Sequence, residues 1–368
     1  MKDNKESIAL FVPTLLGGGA EKVFVNLANY FAEHKHKVWL LTSKQGIYFN
    51  SLNKEVEVYY INKPANFFVY YIYGIIQVAY FLWRHKPKVF MCTLTEAILI
   101  GSTAKKVTFS KTAIILRQAF IVTTSTKIER FFVKHLSRAY KNADGIIANS
   151  PDTADSLKEK CGVKKEIKVL PNPVYNADAL NLAKEKMEKE VNDNFIVAVG
   201  NLKKEKNFEC LINAFSIFRQ KEENQKYQLV ILGEGPERIN LTKQISDLGL
   251  EQKVHLLGFI KNPYPYLKNA NLFVLSSDYE GFGNVLVEAL SVGTSIVSTS
   301  CQGGPGYILD NGKYGKMIPV NDCELLADGI SEVLKNPLEE DVLINRAKDF
   351  SVDVVGEKYL SYLRTCAN

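Results

Sequence analysis

The sequence predicts an α/β protein built from two doubly wound domains, and three observations predict it. Short β-branched runs alternate with longer amphipathic segments from end to end, the pattern of parallel sheets covered by helices on both faces. The pattern starts afresh near residue 195, after a proline-flanked and charged stretch. The chain has 368 residues, 46% hydrophobic and 23% charged, which is too long for one ordinary domain and too apolar for a disordered chain.

In the first half, β-branched runs place strands at 8–15, 37–42, 56–61, 89–94, 112–116, 145–149 and 167–170. Helical patterns fill most of the gaps. Between residues 20 and 32, Val23, Phe24, Leu27, Ala28 and Phe31 recur at helical spacing, with Glu21 in the first turn, where the helix dipole favours an anion. Asn149-Ser150-Pro151-Asp152 reads as a helix start, a polar cap followed by proline near the first helical position. Residues 67–83 (FFVYYIYGIIQVAYFLW) form an uncharged apolar run at the lower limit for spanning a bilayer. Gly74 and Gln77 interrupt it, so the expected element is a buried or half-buried helix of a soluble domain. An interfacial helix and a true span are the alternatives.

Pro171-Asn172-Pro173 marks a stiff crossover, and the hinge is expected between it and Asn194. Strand 195–199 ends in Gly200, and strands at 227–232, 254–257, 272–276, 295–298 and 316–320 complete a second Rossmann-like unit. From Asn321 on the pattern is helical only, and the last helix, 352–363, could pack back across the hinge. The expected organisation is an N-terminal Rossmann-like domain over 1–175, a C-terminal Rossmann-like domain over 176–350, and a helix over 351–368 that could cross back. Two facing sheets of this kind leave a cleft at the carboxyl ends of their strands, where the chemistry is expected.

The net charge of +6, from 46 Lys and Arg against 40 Asp and Glu, conceals an asymmetry. Residues 1–175 carry 25 basic and 13 acidic side chains, whereas residues 176–368 carry 21 and 27. The first half is therefore expected to meet something anionic, a membrane surface or a phosphorylated ligand. Lys127, Arg130, Lys134, Arg138 and Lys141 spread cations over much of one face of a helical pattern whose other face is apolar. With the aromatic run at 67–83, this predicts peripheral contact with an anionic membrane; the plain alternative is an amphipathic helix covering a sheet. Nucleic acid is not expected as a partner, since the basic half has no recognition motif and the other half is acidic. The six cysteines show no CxxC pair and no Cys/His cluster at zinc spacing, so free buried thiols in a reducing cytosol are expected. A polar start leading into a strand argues against a cleaved signal peptide. The expected location is cytoplasmic, peripheral at the inner face of the plasma membrane.

Loops after strands hold the candidate chemistry. The stretch 276–290 (SSDYEGFGNVLVEAL) sets Glu280 after a buried strand and Glu288 eight residues on, inside a helix expected to begin near Phe282. Gly281 and Gly283 let backbone N–H groups approach a ligand, and the helix start is an anion site suited to a diphosphate. Glu288, further in, is suited to gripping a vicinal diol such as a ribose. On these residues alone, Glu280 could equally be a helix-start charge and Glu288 a surface residue. Gly17-Gly18-Gly19 follows the first strand, where the lack of Cβ atoms lets the backbone reach the cleft or simply makes a tight turn. It is not the GxGxxG dinucleotide fingerprint; no P-loop is present, and no Asp-x-Asp calls for a metal bridge to a diphosphate.

The 276–290 stretch resembles the E-x7-E motif of retaining glycosyltransferases of the GT-B fold, family GT4 (glycosyl transferases group 1). Residues 17–21 (GGGAE) resemble that family's glycine-rich loop, 200–207 (GNLKKEKN) its phosphate-binding loop and 232–236 (LGEGP) its next strand end, and 301–309 (CQGGPGYIL) follows in the expected place. The resemblance covers essentially the whole chain. It implies a nucleotide sugar, UDP-linked, as co-substrate, with no metal and no other cofactor. It implies that Glu280 contacts hydroxyls of the donor sugar, that Glu288 holds the ribose, and that Lys206 binds the diphosphate where the leaving group develops charge. Gly281, Phe282, Gly283 and Asn284, with Gly200, Asn201, Gly233, Phe259 and Ile260, line the donor site on the same reading. Gly17, Gly18 and Gly19 would approach donor phosphate and acceptor. The family usually has Arg directly after Gly200; this chain has Asn201, and Lys203 or Lys204 could either reach in to replace that cation or be solvated loop residues.

Many relatives carry a histidine in a cleft loop of the first domain, and none of the five histidines here follows a strand at that point. The matching loop reads Leu116-Arg117-Gln118-Ala119-Phe120, which makes Arg117 a candidate for acceptor or phosphate contact, or else a structural ion pair. Its pKa excludes it as a base. Without a protein base, the resemblance points to front-face attack with retention, a donor phosphate oxygen taking the acceptor's proton, rather than to a covalent intermediate on Glu280. The implied acceptor is lipid-linked or a polysaccharide of bacterial surface-glycan assembly: lipopolysaccharide, O-antigen or capsule. Two other readings stand beside it. A UDP-sugar 2-epimerase of the same fold would need a histidine that the cleft loops lack, and a non-catalytic sugar-binding partner is supported only by Asn201.

Overall fold

The computed structural model describes residues 6–44, 46–62, 67–124 and 126–367. The chain divides into two compact units, one made of Met1–Pro173 with Val352–Asn368, the other of Val174–Ser351.

In the first unit the strands are β1 (Ser7–Phe11), β2 (Lys37–Thr42), β3 (Val56–Tyr60), β4 (Val89–Thr93), β5 (Ala113–Gln118), β6 (Gly145–Ala148) and β7 (Lys168–Val169). They run parallel in the order β3-β2-β1-β4-β5-β6-β7. β1 stops at Phe11 rather than running to Leu15, since Pro13 has no N–H with which to continue the ladder. The helices are α1 (Gly19–Glu33), α2 (Phe67–His85), α3 (Thr95–Thr108), α4 (Lys127–Lys141) and α5 (Pro151–Cys161). Helices α2 to α5 share one apolar core with one face of the sheet, and α1 packs on the other face. Burial on both faces explains why β4 and β5 are buried throughout instead of alternating. Ser150 caps α5 through an oxygen that accepts from the Thr153 N–H, with Pro151 at the first helical position. In α2, Tyr70, Val78, Phe81 and Leu82 enter the core. Among the described residues no helix is long and apolar enough to cross a membrane.

The second unit repeats the plan with β8 (Phe195–Val199), β9 (Gln228–Leu232), β10 (Val254–Gly258), β11 (Leu272–Leu275), β12 (Ile296–Thr299) and β13 (Lys316–Ile318), parallel in the order β10-β9-β8-β11-β12-β13. Its helices are α6 (Ala179–Leu182), α7 (Phe208–Phe218), α8 (Arg238–Asp247), α9 (Tyr264–Asn269), α10 (Asn284–Ser291), α11 (Pro305–Ile308), α12 (Cys323–Lys335) and α13 (Glu340–Lys348). In each sheet the strand order reverses once, between β1 and β4 and between β8 and β11. Loops leaving those neighbouring strands diverge to opposite faces and open a crevice.

The expectation of six free thiols is corrected. Cys92, Cys161, Cys301 and Cys366 are free, but Cys210, in the first turn of α7, is bonded to Cys323, the first residue of α12, with Cα atoms 5.3 Å apart. The two helices pack together on one face of the second sheet, a proximity across 113 residues that no local spacing can announce. Alkylation under denaturing, non-reducing conditions is expected to label four cysteines, and six after reduction; six labelled without reductant would refute the bond.

Helix α14 (Val352–Ala367) packs in the first unit, where Val355, Tyr359, Leu360 and Leu363 join the core around α1. A Cβ on Gly356 would stand 2.6 Å from the Tyr30 ring, so the two helices touch only because this residue is glycine. Tyr362 Oη accepts from the Ile146 N–H at 3.1 Å.

Arg117 requires the second correction. β5 continues past Leu116 to Gln118, so Arg117 lies inside the sheet, fully buried, and not in a loop that meets a ligand. Its Nε donates to Tyr359 Oη (2.9 Å), Nη1 to Thr93 Oγ1 (3.2 Å) and Nη2 to Asn172 Oδ1 (2.5 Å). These partners are neutral, so it is not an ion pair either; the guanidinium is kept because its hydrogen bonds are satisfied, and it ties α14 and the proline-flanked Asn172 to the sheet. Tyr359→Phe is expected to cost about 1–3 kcal/mol by orphaning a buried N–H. An unchanged urea midpoint for that variant would show that the contact contributes nothing.

Candidate active site

The reversal between β8 and β11 brings two loops together. The first, 200–207, begins with Gly200, whose N–H donates to Leu232 O. The aliphatic stem of Lys206 folds back over Gly200, 3.5 Å from where a Cβ there would sit, an ordinary packing distance. Lys206 Nζ then donates to Glu280 Oε1 at 2.5 Å, and Ser277 Oγ donates to the same oxygen at 2.7 Å. Glu280, in the loop after β11, is only 8% exposed. The two loops are stitched along their length: Asp278 N–H donates to Glu205 O, and Ser276 Oγ to Lys206 O. Asn207 is held at φ +47°, accepts from Cys210 N–H to start α7, and donates through Nδ2 to Asp278 Oδ1 (2.8 Å) and Asn321 Oδ1 (2.7 Å). It thereby links the loops after β8, β11 and β13.

Gly283 takes φ +85° and caps α10, which starts at Asn284 and not near Phe282, because a left-handed residue interrupts the helical run there. Glu288 lies one turn beyond Asn284 and is partly exposed. The loop after β12 supports this segment from beneath. Glu280 N–H donates to Gln302 O. A Cβ on Gly303 would fall 2.0 Å from Glu280 O, and one on Gly304 1.9 Å from Phe282 O. The pair of glycines is thus a backbone platform under the E-x7-E loop. Cys301 stands beside it; burial, reinforced by Glu280, pushes its thiol up to about 12, so it stays protonated and is no nucleophile.

The remaining expected residues fall into two groups. Gly233 brings the loop after β9 against that after β8, for a Cβ there would meet Gly200 O at 1.9 Å. Gly281 is partly exposed beside Glu280, Asn201 is exposed, and Phe259 is 69% exposed directly after β10. Ile260 and Phe282, by contrast, bury their side chains in the core, Phe282 edge-on to Phe350, so only their backbone is left to meet a ligand. Lys203 Nζ stands 3.9 Å from Glu205, and both Lys203 and Lys204 line a groove bounded by Asp278 and Asn321; Lys206 is the cation at Glu280.

In the first unit, Gly17, Gly18 and Gly19 are exposed, yet the N–H groups of Gly17 (2.7 Å) and Gly18 (3.0 Å) both donate to Glu21 Oε2, and Thr14 Oγ1 donates to Oε1. The carboxylate that the helical pattern assigned to the dipole therefore also occupies the amides of this loop. Ser277, Asn207 and the role of Gly303-Gly304 escaped the sequence reading. The only signal was their position inside recognised stretches.

Residues 181–350 match the family model for glycosyl transferases group 1, and residues 17–176 match that for glycosyltransferase family 4. The chain belongs to the group 1 glycosyltransferases. A relative from Campylobacter jejuni subsp. jejuni serotype O:2, N-acetylgalactosamine-N,N'-diacetylbacillosaminyl-diphospho-undecaprenol 4-alpha-N-acetylgalactosaminyltransferase, is 32% identical over 62% of this glycosyltransferase and 62% of its own length. The match thus spans less than two thirds of that relative. A second protein of the same organism, GalNAc-alpha-(1->4)-GalNAc-alpha-(1->3)-diNAcBac-PP-undecaprenol alpha-1,4-N-acetyl-D-galactosaminyltransferase, is 26% identical over 98% of this chain and 99% of its own. The Anabaena protein HepE, solved in complex with UDP, superposes with a TM-score of 0.77 over 98% of this chain and 100% of its own, at 19% identity. The fold is the two-domain α/β fold of GT-B type. For this glycosyltransferase, Gly304→Ala is expected to lower kcat/KM about a hundredfold, since the added Cβ must displace the Phe282 carbonyl and the loop that carries Glu280. Wild-type turnover in a folded Gly304→Ala protein would show that the platform does not position the site.

Proposed function

We propose that this glycosyltransferase moves a hexose or N-acetylhexosamine from a UDP-sugar, with retention, to a lipid-linked or polysaccharide acceptor in bacterial surface-glycan assembly. The observation that carries the reading is the Lys206–Glu280 pair at the reversal between β8 and β11, just before the start of α10. With no donor bound, the ammonium and the carboxylate satisfy each other. An arriving diphosphate offers Lys206 a partner of higher charge, which releases Glu280 Oε1 to accept from sugar hydroxyls. As the bond between the anomeric carbon and the phosphate oxygen breaks, charge gathers on the diphosphate. Lys206 and the amides at the start of α10 are the groups that meet it. The acceptor oxygen bonds to the same face of the anomeric carbon, and its proton passes to a phosphate oxygen. Glu288, one turn into α10, holds the ribose.

The names of the two Campylobacter relatives support an undecaprenol-linked acceptor and an N-acetylhexosamine, and the UDP complex of HepE supports the nucleotide. Transfer proceeds without a divalent metal and takes place at the inner face of the plasma membrane. For the metal, the support is that Lys206 already sets a cation beside Glu280, where the diphosphate would lie. With UDP-sugars and an undecaprenyl-diphosphate saccharide as substrates, Lys206→Ala and Glu280→Gln are each expected to lower turnover at least about tenfold, 1.4 kcal/mol of transition-state stabilisation. EDTA is expected to leave it unchanged. Wild-type rates in both variants would remove the pair from the mechanism, and loss of turnover in EDTA would overturn the metal-free reading.

A further inference from the structure

We propose that Cys210 and Cys323 form a thiol–disulfide switch that sets how tightly the donor site holds its nucleotide. The inference rests on the UDP-sugar reading and adds a regulatory state to the same site. A UDP-sugar donor places the reaction in the cytosol, where dithiol reductants keep cysteines reduced and a disulfide is usually a transient, redox-sensing one. The structure shows the oxidised state.

Position couples the bond to the site. Cys210 lies in the first turn of α7, three residues after Asn207, and Cys323 opens α12, two residues after Asn321. Asn207 stands where these two segments meet. Its Oδ1 accepts from the Cys210 N–H (3.1 Å) and its Nδ2 donates to Asn321 Oδ1 (2.7 Å), so one amide joins the same segments that the sulfurs join. The remaining contact of that Nδ2, to Asp278 Oδ1 (2.8 Å), passes to the loop of Glu280, and Lys206 is the chain neighbour of Asn207. With the bond closed, the starts of α7 and α12 are held together and Asn207 is fixed between them. With the bond open, Leu211, Phe215, Leu326 and Ile330 still hold both helices in one core, so only their first turns part. The loss is local: Lys206 and Glu280 are less well placed to receive a diphosphate.

The two sulfurs are not equivalent. Cys323 is partly exposed, whereas Cys210 is buried. The thiolate of a dithiol reductant attacks Cys323 Sγ and the bond between the two protein sulfurs breaks. Cys210 leaves as a thiolate in the first turn of α7, where the helix dipole favours negative charge, and then takes a proton. The second thiolate of the reductant attacks the reductant's sulfur in the mixed disulfide, and Cys323 leaves as the second thiol. Two electrons and two protons have then passed to the protein, and the reductant has become a disulfide. Glutathione disulfide drives the reverse exchange. Cys301, the other cysteine of the second unit, is buried and takes no part.

The test is calorimetric titration of the full chain with UDP, after oxidation by glutathione disulfide and after reduction by dithiothreitol, with amide hydrogen exchange followed in both states. Reduction is expected to weaken UDP binding at least about fivefold. It is also expected to quicken exchange at the Lys206, Asn207 and Asp278 amides, which are hydrogen-bonded within the two loops. Coupling is reciprocal, so saturating UDP is expected to shift the glutathione equilibrium toward the protein disulfide by the same factor. The Cys210→Ser/Cys323→Ser variant is expected to bind like the reduced protein, with or without dithiothreitol. Asn321→Gly suits the left-handed backbone there (φ +60°) and removes the amide; it is expected to keep the bond yet bind UDP equally in both states. Equal, measurable affinity of the wild type in both states would overturn the proposal, as would unchanged exchange; the bond would then be a structural staple whose reduction lowers only the urea midpoint. A protein that binds no UDP in either state, but whose exchange still responds to reduction, would overturn the UDP-sugar reading and leave the coupling of bond and loop standing.

Discussion

A part-buried ammonium–carboxylate pair survives only where the surrounding backbone meets the remaining needs of both groups, and much of the second unit is arranged around that demand. Lys206 reaches Glu280 because Asp278 and Ser276 tie the loop after β11 to the backbone of Glu205 and Lys206. Glu280 is held in place because Ser277 donates to its carboxylate and its own amide is anchored on Gln302. Beneath it, Gly303 and Gly304 bring two backbones closer than any side chain allows. The parallel sheet supplies the crevice, but the glycines decide that a charged pair can stand in it.

The first unit uses charge in the opposite way. Arg117 and Glu21 have the chemistry of ligand-binding groups, and both are consumed by the fold. Arg117 binds the terminal helix and the proline-flanked Asn172 to the sheet, and Glu21 closes the glycine loop on itself. The fate of a charged side chain thus depends on which end of a strand it occupies. Arg117 sits within β5, whereas Lys206 and Glu280 lie beyond the ends of β8 and β11, where the sheet no longer supplies partners.

Much of this was legible beforehand. The strands lie where β-branched runs predict them, because a parallel sheet buried on both faces leaves little room for any other composition. The helix cap at Ser150-Pro151, the restart of the pattern at Phe195 and the pairing of Glu280 with a loop after a buried strand are local chemistry, written within a few residues. What could not be read was non-local. One extra turn of the ladder moved Arg117 from loop to core. Cys210 and Cys323 meet only because two helices pack on one sheet face, and Ile260 and Phe282 turn inward because their loops fold over the core.

The sequence by itself determined which segments become strands and helices, where a close backbone approach is possible, and which charged residues fall in the loops beyond strand ends. These follow from side-chain shape, periodicity and the freedom of glycine, all properties of short stretches. The tertiary structure alone decided which charged groups remain available. Availability depends on hydrogen-bond partners that arrive from distant parts of the chain, as Tyr359 does for Arg117 and Lys206 for Glu280, and no short stretch contains both halves of such a pair.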